Sequence, residues 1–254
     1  MKLFRFGSQG HEKPGVLIRD EMMLDVSAFG EDYNENFFSS DGISRLLEWL
    51  VLNSGSCPSV PSGSRLGSCV ARPSKIVAIG LNYRKHIEET GAAFPKEPVI
   101  FMKATTALCG PDDNVIIPKN SNKTDWEVEL AIIIKRKASY VSEEDALNFV
   151  AGYTIINDYS EREFQMERGG QWTKGKSADT FAPVGPYMVT PDEISDPQEL
   201  RLWLSVNGNL YQDSNTRDML FRIPSLICYV SHMMTLLPGD IIATGTPSGV
   251  GMGF

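Results

Sequence analysis

From residue 75 onward the chain breaks into short runs of apolar and β-branched residues with little helix between them. KIVAIG (75–80), PVIFMK (98–103), DNVIIP (113–118), WEVELAIII (126–134), AGYTIINDY (151–159), LRLWLSVNG (200–208) and GDIIATG (239–245) have the length and composition of strands. Two helical patterns interrupt them. VSEEDALNFVAG (141–152) offers Ser142 as an N-cap with Gly152 beyond it, and PSLICYVSHMMTLLPG (224–239) is ended by Pro238 and Gly239. Asn207-Gly208 reads as the turn of a hairpin. A doubly wound parallel sheet needs a crossover helix after nearly every strand. This order therefore predicts a largely antiparallel or mixed sheet in a chain that is mainly β with some α, the α+β class.

Upstream lie three strand-like pieces, KLFRFG, PGVLIRD and MMLDVSAF, and a helical pattern in GISRLLEWLVL, where Ile43, Leu46, Leu47 and Leu50 recur at helical spacing. Residues 53–75 are dense in Ser, Gly and Pro, which suits a connector. A boundary near residue 72 follows, with a small N-terminal domain and connector over 1–72 and the main domain over 73–254. With 254 residues, 42% of them hydrophobic, the chain is long enough to bury a substantial core. Its formal charge of -8 disfavours a nucleic-acid partner, which needs clustered Lys and Arg. No apolar run has the length of a signal peptide or a membrane span, so the expectation is a soluble, cytoplasmic protein with no membrane partner. Cys57, Cys69, Cys109 and Cys228 form no CxxC pair and no metal-ligand spacing, and are expected to be reduced thiols.

TDWEVELAII (124–133) raises a different question, because Glu127 and Glu129 stand two apart in an otherwise apolar strand. Side chains of a strand alternate faces, so the two carboxylates point one way while Trp126, Val128 and Leu130 point the other. Like charges side by side need water or a cation, so the pair is a solvated face or part of a metal site. The next strand ends in Asp158, which is a turn residue or a third ligand. Three carboxylate donors with no His or Cys beside them favour a hard cation, Mg²⁺ first and Mn²⁺ or Ca²⁺ after it, over zinc.

Three further segments carry chemistry. In LNYRKHIEETG (81–91) a helix would place His86 and Glu89 on one face, as a surface ion pair or as a carboxylate-oriented general base. QWTKGKSADTFAPVGP (171–186) presents Lys174 and Lys176 as solvated charges or as donors to an anion. GDIIATGTPSGVG (239–251) runs a strand into a Gly-rich turn whose N–H groups, with Thr246, suit a carboxylate; it lacks the GxxxxGK[ST] pattern of a nucleotide-binding loop.

Taken together, HxxE after NY, ExE in a strand, an Asp at the end of the next strand followed by SEREFQ, WTKGKSxD and PGDIIxTGTPxGVG resemble the fumarylacetoacetate hydrolase family over roughly residues 75–251. Through TDWEVEL, QWTKGKSADTFAPVGP and TGTPSGVGMG the likeness is nearest to the bacterial branch of diketo-deoxy sugar acid hydrolases, members of which are often labelled ureidoglycolate lyases. The resemblance implies a β-sandwich or roll with a small N-terminal domain, usually in a homodimer. It also implies Mg²⁺ or Mn²⁺ on Glu127, Glu129 and Asp158, water activation by His86 and Glu89, and contacts to substrate from Lys176, Arg162, Gln165 and Thr246. The implied reaction is hydrolysis of a C–C bond in a 2,4-diketo acid, giving pyruvate and a second acid, lactate for a 6-deoxy sugar acid. Keto-acid decarboxylation or tautomerisation, ureidoglycolate cleavage and non-catalytic keto-acid binding stand as alternatives. Family members usually run a few tens of residues past the matching GVGMG, whereas this sequence ends at Phe254, which implies a shortened C-terminal end.

Overall fold

The structure, a computed structural model, describes residues 1–19 and 21–253. Strands β1 (Lys2–Phe6), β2 (Lys13–Ile18), β3 (Met22–Asp25) and β4 (Leu66–Gly67) come from the N-terminal segment. They are followed by β5 (Ile76–Gly80), β6 (Val99–Lys103), β7 (Leu108–Cys109), β8 (Thr124–Asp125), β9 (Val128–Ile134), β10 (Val150–Asn157), β11 (Ser160–Glu161), β12 (Ala182–Val189), β13 (Arg201–Val206), β14 (Asn209–Asn215) and β15 (Ile241–Ala243). Helices are few: α1 (Glu35–Ser39), α2 (Gly42–Asn53), α3 (Arg84–Thr90), α4 (Thr173–Lys176) and α5 (Ile223–Met233). The class is mainly β with some α, as the strand-rich sequence predicts. Among the described residues no helix is long and apolar enough to cross a membrane, and all four cysteines are free.

One eleven-stranded sheet carries the molecule, ordered β3-β2-β1-β12-β10-β9-β15-β5-β6, with β4 on β1 and β7 on β12. The N-terminal strands join it by the antiparallel β1–β12 pair, so residues upstream of 72 continue the same hydrogen-bonded ladder. Most pairings are antiparallel; β5 with β15 and β7 with β12 are parallel. Alternation along the central strands feeds two separate cores. Ala131, Ile133, Ile76, Ala78, Ile241 and Ala243 pack on one face with Phe37, Leu46 and Leu50 of α1 and α2. Leu130, Ile132, Val77, Ile79 and Ile242 pack on the other with Ile223, Leu226, Ile227 and Val230 of α5. Because both faces are covered, β9 is buried at every residue; Glu129 within it and Glu127 just before it are both buried, so the solvated-face reading of the pair does not hold.

Three local expectations are corrected. Residues 113–118 form no strand: Ile116 and Ile117 are exposed, and the segment is held by side-chain contacts such as Ile116 N–H to Thr180 Oγ1 at 2.7 Å. Residues 141–152 form no helix beyond a 3₁₀ turn at Ala146–Phe149, because Val150 enters β10 opposite Ile134; pairing in the sheet outweighs local helix propensity. The helix expected over 224–239 ends at Met233, and Leu236 instead bridges to Ala138. The hairpin turns at Asn207-Gly208 as expected, with φ of 52° and 82° at the two residues, the left-handed pair that a two-residue hairpin requires. The PGVLIRD reading ends on Asp20, which with Phe254 lies outside the described residues.

Where β5 ends, Leu81 takes a φ of 53° and turns the chain toward α3. Asn82, fully buried, secures that turn: its side-chain amide donates to Thr244 O (2.7 Å) and Phe221 O (3.1 Å), and its Oδ1 accepts from Phe221 N (2.8 Å). Replacing it by Ala would leave three backbone groups without partners. Asn82→Ala should therefore lower unfolding stability by about 2–4 kcal/mol, read as a reduced urea midpoint at unchanged m-value; an unchanged midpoint would show that the amide is not a structural tie.

Candidate active site

The antiparallel register of β9 and β10 assembles the acidic cluster. Glu129 stands opposite Ile156 and Val128 opposite Asn157, and residues directly opposite share a face. One step further the ladder closes with Asp158 N–H on Glu127 O at 2.8 Å, while Glu127 N–H is held by Asn157 Oδ1 at 2.9 Å. Glu127, Glu129 and Asp158 therefore project from one face, and their ligand atoms lie within 4.8 Å of one another. All three are buried.

Buried cations answer these carboxylates. Lys176, from α4, donates to Glu127 Oε2 (2.8 Å) and Asp158 Oδ2 (2.7 Å). Lys103, at the end of β6 and fully buried, donates to Asp158 Oδ1 and to Tyr159 O (3.1 Å). Arg162 lies 2.6 Å from Glu127 Oε1 and 2.7 Å from Asp125 Oδ2, and donates to Gln165 Oε1 at 3.0 Å. Burial opposes ionisation of Glu127, but Lys176, Arg162 and His86 outweigh it and hold its carboxyl well below the usual range. Glu129 goes the other way. Burial, then the charges of Asp158 and Glu127, push it well above the ordinary carboxylate range, with Lys176 and Gly245 N–H (2.8 Å) only partly offsetting them. Burial likewise disfavours the charge on Lys176, yet Asp158 and Glu127 raise it, so the amine stays protonated.

On the opposite side of the cluster, α3 brings His86 and Glu89 together with Nδ1 3.1 Å from Oε2, and His86 is buried, unlike a surface ion pair. The Gly-rich turn after β15 does bind carboxylates with its N–H groups, but they belong to the protein. Gly245 N–H goes to Glu129, Gly249 N–H to Glu89 Oε1 (2.9 Å), and Gly251 and Met252 N–H to Asp125 (2.6 and 3.1 Å). Thr246 is held too: its hydroxyl donates to Val128 O (2.9 Å) and accepts from Gln212 Nε2 (2.7 Å).

These groups share a cavity of about 150 Å³ lined by His86, Glu127, Glu129, Arg162, Gln165, Lys176 and Thr246, with Ile79, Leu81, Phe101, Trp172 and others completing the wall. Of the residues singled out from the sequence, Asp158 lies beneath this lining, tied to Lys176, and Glu89 reaches it through His86. Lys174 is exposed and turns to Arg168 O, away from the cluster. Lys103, Asp125, Gln212, Phe101 and Trp172 escaped the sequence reading. A Lys closing an apolar strand (PVIFMK) and an Asp one residue before Trp126 were the available signals for the first two; Gln212 sits in a hairpin with nothing local to mark it.

The donor set fits a hard divalent cation. It comprises three buried carboxylates in or next to the paired ends of β9 and β10, one of which, Glu129, sits beside like charges that a cation would relieve. The same crowding sets a pH dependence. The folded-state pKa of Glu129 is raised, so its contribution to stability is fully present below the unfolded value of 4.5 and is lost as pH rises toward the folded-state value. Glu129→Gln cannot ionise. In chelator, the variant should match wild type near pH 4 and melt higher at pH 8, by roughly 2–4 °C for each kcal/mol recovered. Thermal unfolding curves that coincide at both pH values would show that Glu129 is not crowded by its neighbours.

The family model for the fumarylacetoacetate (FAA) hydrolase C-terminal domain matches residues 75–253. A protein of Burkholderia multivorans, named as a hydrolase without a stated substrate, is 52% identical over 253 residues, covering 100% of this chain and 89% of its own length. Among solved structures, maleylpyruvate hydrolase from Sphingobium sp. SYK-6, in complex with manganese(II) ion and pyruvate, is 34% identical with a TM-score of 0.82, over 99% of this chain and 90% of that one. The 5-carboxymethyl-2-hydroxymuconate delta-isomerase from Mycobacterium smegmatis is 35% identical with a TM-score of 0.77, over 99% and 89%. With most of its length matched by the family model and relatives similar along the whole of it, the chain belongs to the fumarylacetoacetate hydrolase family.

Proposed function

We propose that the protein hydrolyses a C–C bond in a 2,4-diketo acid, releasing pyruvate and a second acid. The observation that supports this reading best is the joining, in one buried cavity, of a three-carboxylate cation site with a carboxylate-oriented histidine. Glu127, Glu129 and Asp158 would hold Mg²⁺ or Mn²⁺. A cation held there would supply Lewis-acid stabilisation of negative charge on the keto acid. Glu89 fixes the ring of His86 through Nδ1, leaving Nε2 as the nitrogen that takes a proton from water as it attacks C4. Lys176, kept charged by its two carboxylates, faces the negative charge that grows after attack, which is where stabilisation raises the rate. Arg162, Gln165 and Thr246 border the same space and position the substrate. In full, R–CO–CH₂–CO–COO⁻ and water give R–COO⁻, pyruvate and a proton.

Within this reaction the finer proposal is a 2,4-diketo-3-deoxy sugar acid, with lactate as the second product for a 6-deoxy substrate. A homodimer in the cytoplasm, and a division into residues 1–72 and a catalytic unit over 73–254, belong to the same proposal and rest on the family resemblance. The isomerase among the structural neighbours favours one second reading: enolate chemistry without water, as in tautomerisation or decarboxylation of a keto acid.

Two experiments test these statements. Exhaustive chelation should abolish pyruvate release, and Mg²⁺ or Mn²⁺ should restore it better than Zn²⁺, because the ligands are hard oxygens; turnover that survives chelation would remove the cation from the reaction. His86→Ala should lower hydrolytic kcat by roughly 10²–10⁴, the range for a lost general base, while any oxaloacetate decarboxylation persists because it needs no water nucleophile. Glu127→Ala should remove both. Hydrolysis near wild type in His86→Ala, with metal affinity intact by calorimetry, would assign water activation to another group.

A further inference from the structure

Beyond the cluster, the cavity changes character. The ionisable lining residues His86, Glu127, Glu129, Arg162 and Lys176 are joined by the polar Gln165, Thr246 and Thr90, whereas the apolar wall is built mainly from Ile79, Leu81, Phe101, Met166, Trp172 and Met252. The transition follows a line of aromatic contacts. The Phe101 ring lies 4.9 Å from Lys176 Nζ, and Trp172 lies 5.4 Å beyond it. Trp172 reaches this position by lying against the backbone of β5 at Gly80, where a Cβ would come within 2.2 Å of the indole. None of these six side chains carries a charge. Thr90 donates its hydroxyl to His86 O and Ile87 O (3.1 Å each), and Arg162 is held through Nε by Asp125 and through Nη1 by Glu127 and Gln165, its Nη2 being buried without a hydrogen bond but 2.7 Å from the Asp125 carboxylate.

Resting on the diketo-acid reading, we propose that the group carried on the substrate's C4 carbonyl is uncharged and apolar, a short alkyl chain seated against Phe101 and Trp172. The keto-acid end binds among the charges and the chain lies along the wall, displacing water from apolar surface. A second carboxylate at the chain's end would lie against apolar side chains, away from the cations that hold the keto-acid end, which the site therefore disfavours. Within the sugar-acid class, this selects a 6-deoxy end, whose terminal methyl faces the wall, over hydroxylated termini.

The decisive comparison uses two substrates of equal length on the Mn²⁺-loaded enzyme: 2,4-dioxoheptanoate, giving pyruvate and butanoate, and 2,4-dioxoheptanedioate, giving pyruvate and succinate. They differ only in a terminal methyl against a carboxylate. The monoacid should be cleaved with kcat/KM about a hundredfold higher, the scale of a polar mismatch in a pocket without partners. Met166→Arg, which places a cation at the half-exposed rim of the wall, should shrink that ratio at least about tenfold, largely through KM for the diacid. Equal or faster cleavage of the diacid by wild type would overturn this specificity while leaving diketo-acid hydrolysis in place. Absence of pyruvate from both substrates and from 5-hydroxy-2,4-dioxohexanoate would overturn both. Should Met166→Arg not fold, the wild-type ratio alone decides.

Discussion

Three carboxylates of one sign, brought by strand register onto one buried face, are the constraint around which the rest of the molecule is arranged. Asp158 closes the β10 ladder against Glu127, and Glu129 sits one pleat away, so a register shift between β9 and β10 would carry Asp158 away from the two glutamates. Such a cluster survives in a dry interior only if other elements supply charge. Lys103 from β6, Lys176 from α4 and Arg162 from the segment after β11 do so, each nearly or wholly buried. The residual imbalance falls on Glu129, whose acidity is suppressed. An interior of this kind is costly to desolvate and strongly cooperative, and each of its charges depends on the others for compensation.

The same arrangement explains why the turn after β15 is rich in glycine. Four of its N–H groups are directed at Glu129, Glu89 and Asp125, so one short loop ties the acidic cluster, the histidine's orienting carboxylate and the partner of Arg162 into a single unit. Side chains would obstruct this. A Cβ at Gly251 would meet Asp125 at 2.6 Å and one at Gly253 would meet Glu89 at 2.7 Å. Groups held this way need little rearrangement when charge develops on a substrate, which is the physical basis of electrostatic catalysis in a water-poor cavity. The apolar wall of Phe101 and Trp172 complements it by lowering the local polarity beside Lys176.

How much of this could be read in advance varied with how local the cause was. Strand alternation alone put Glu127 and Glu129 on one side, and i,i+3 spacing put His86 against Glu89; both follow from backbone periodicity. The turn at Asn207-Gly208 was equally local. Residues 141–152 and 113–118 differ from their local patterns because tertiary contacts decided their state: Val150 pairs with Ile134 in the sheet, and Ile116 is held by the Thr180 side chain and not by a strand. The carboxylate-binding character of the Gly-rich turn was legible, but its ligands were not: they proved to be side chains more than a hundred residues away in sequence.

The sequence by itself determined the β-rich class, the facing of the two glutamates, the histidine pair and the kinds of donor available, because each depends on chemistry within a few residues. Tertiary structure alone decided that β9 is covered on both faces, that Lys103 and Asp125 join the cluster, and that Trp172 lies over Gly80 to make one wall of the cavity apolar. Those outcomes turn on contacts between segments distant in sequence, whose closeness is set by the packing of the whole sheet and leaves no periodic trace in either segment.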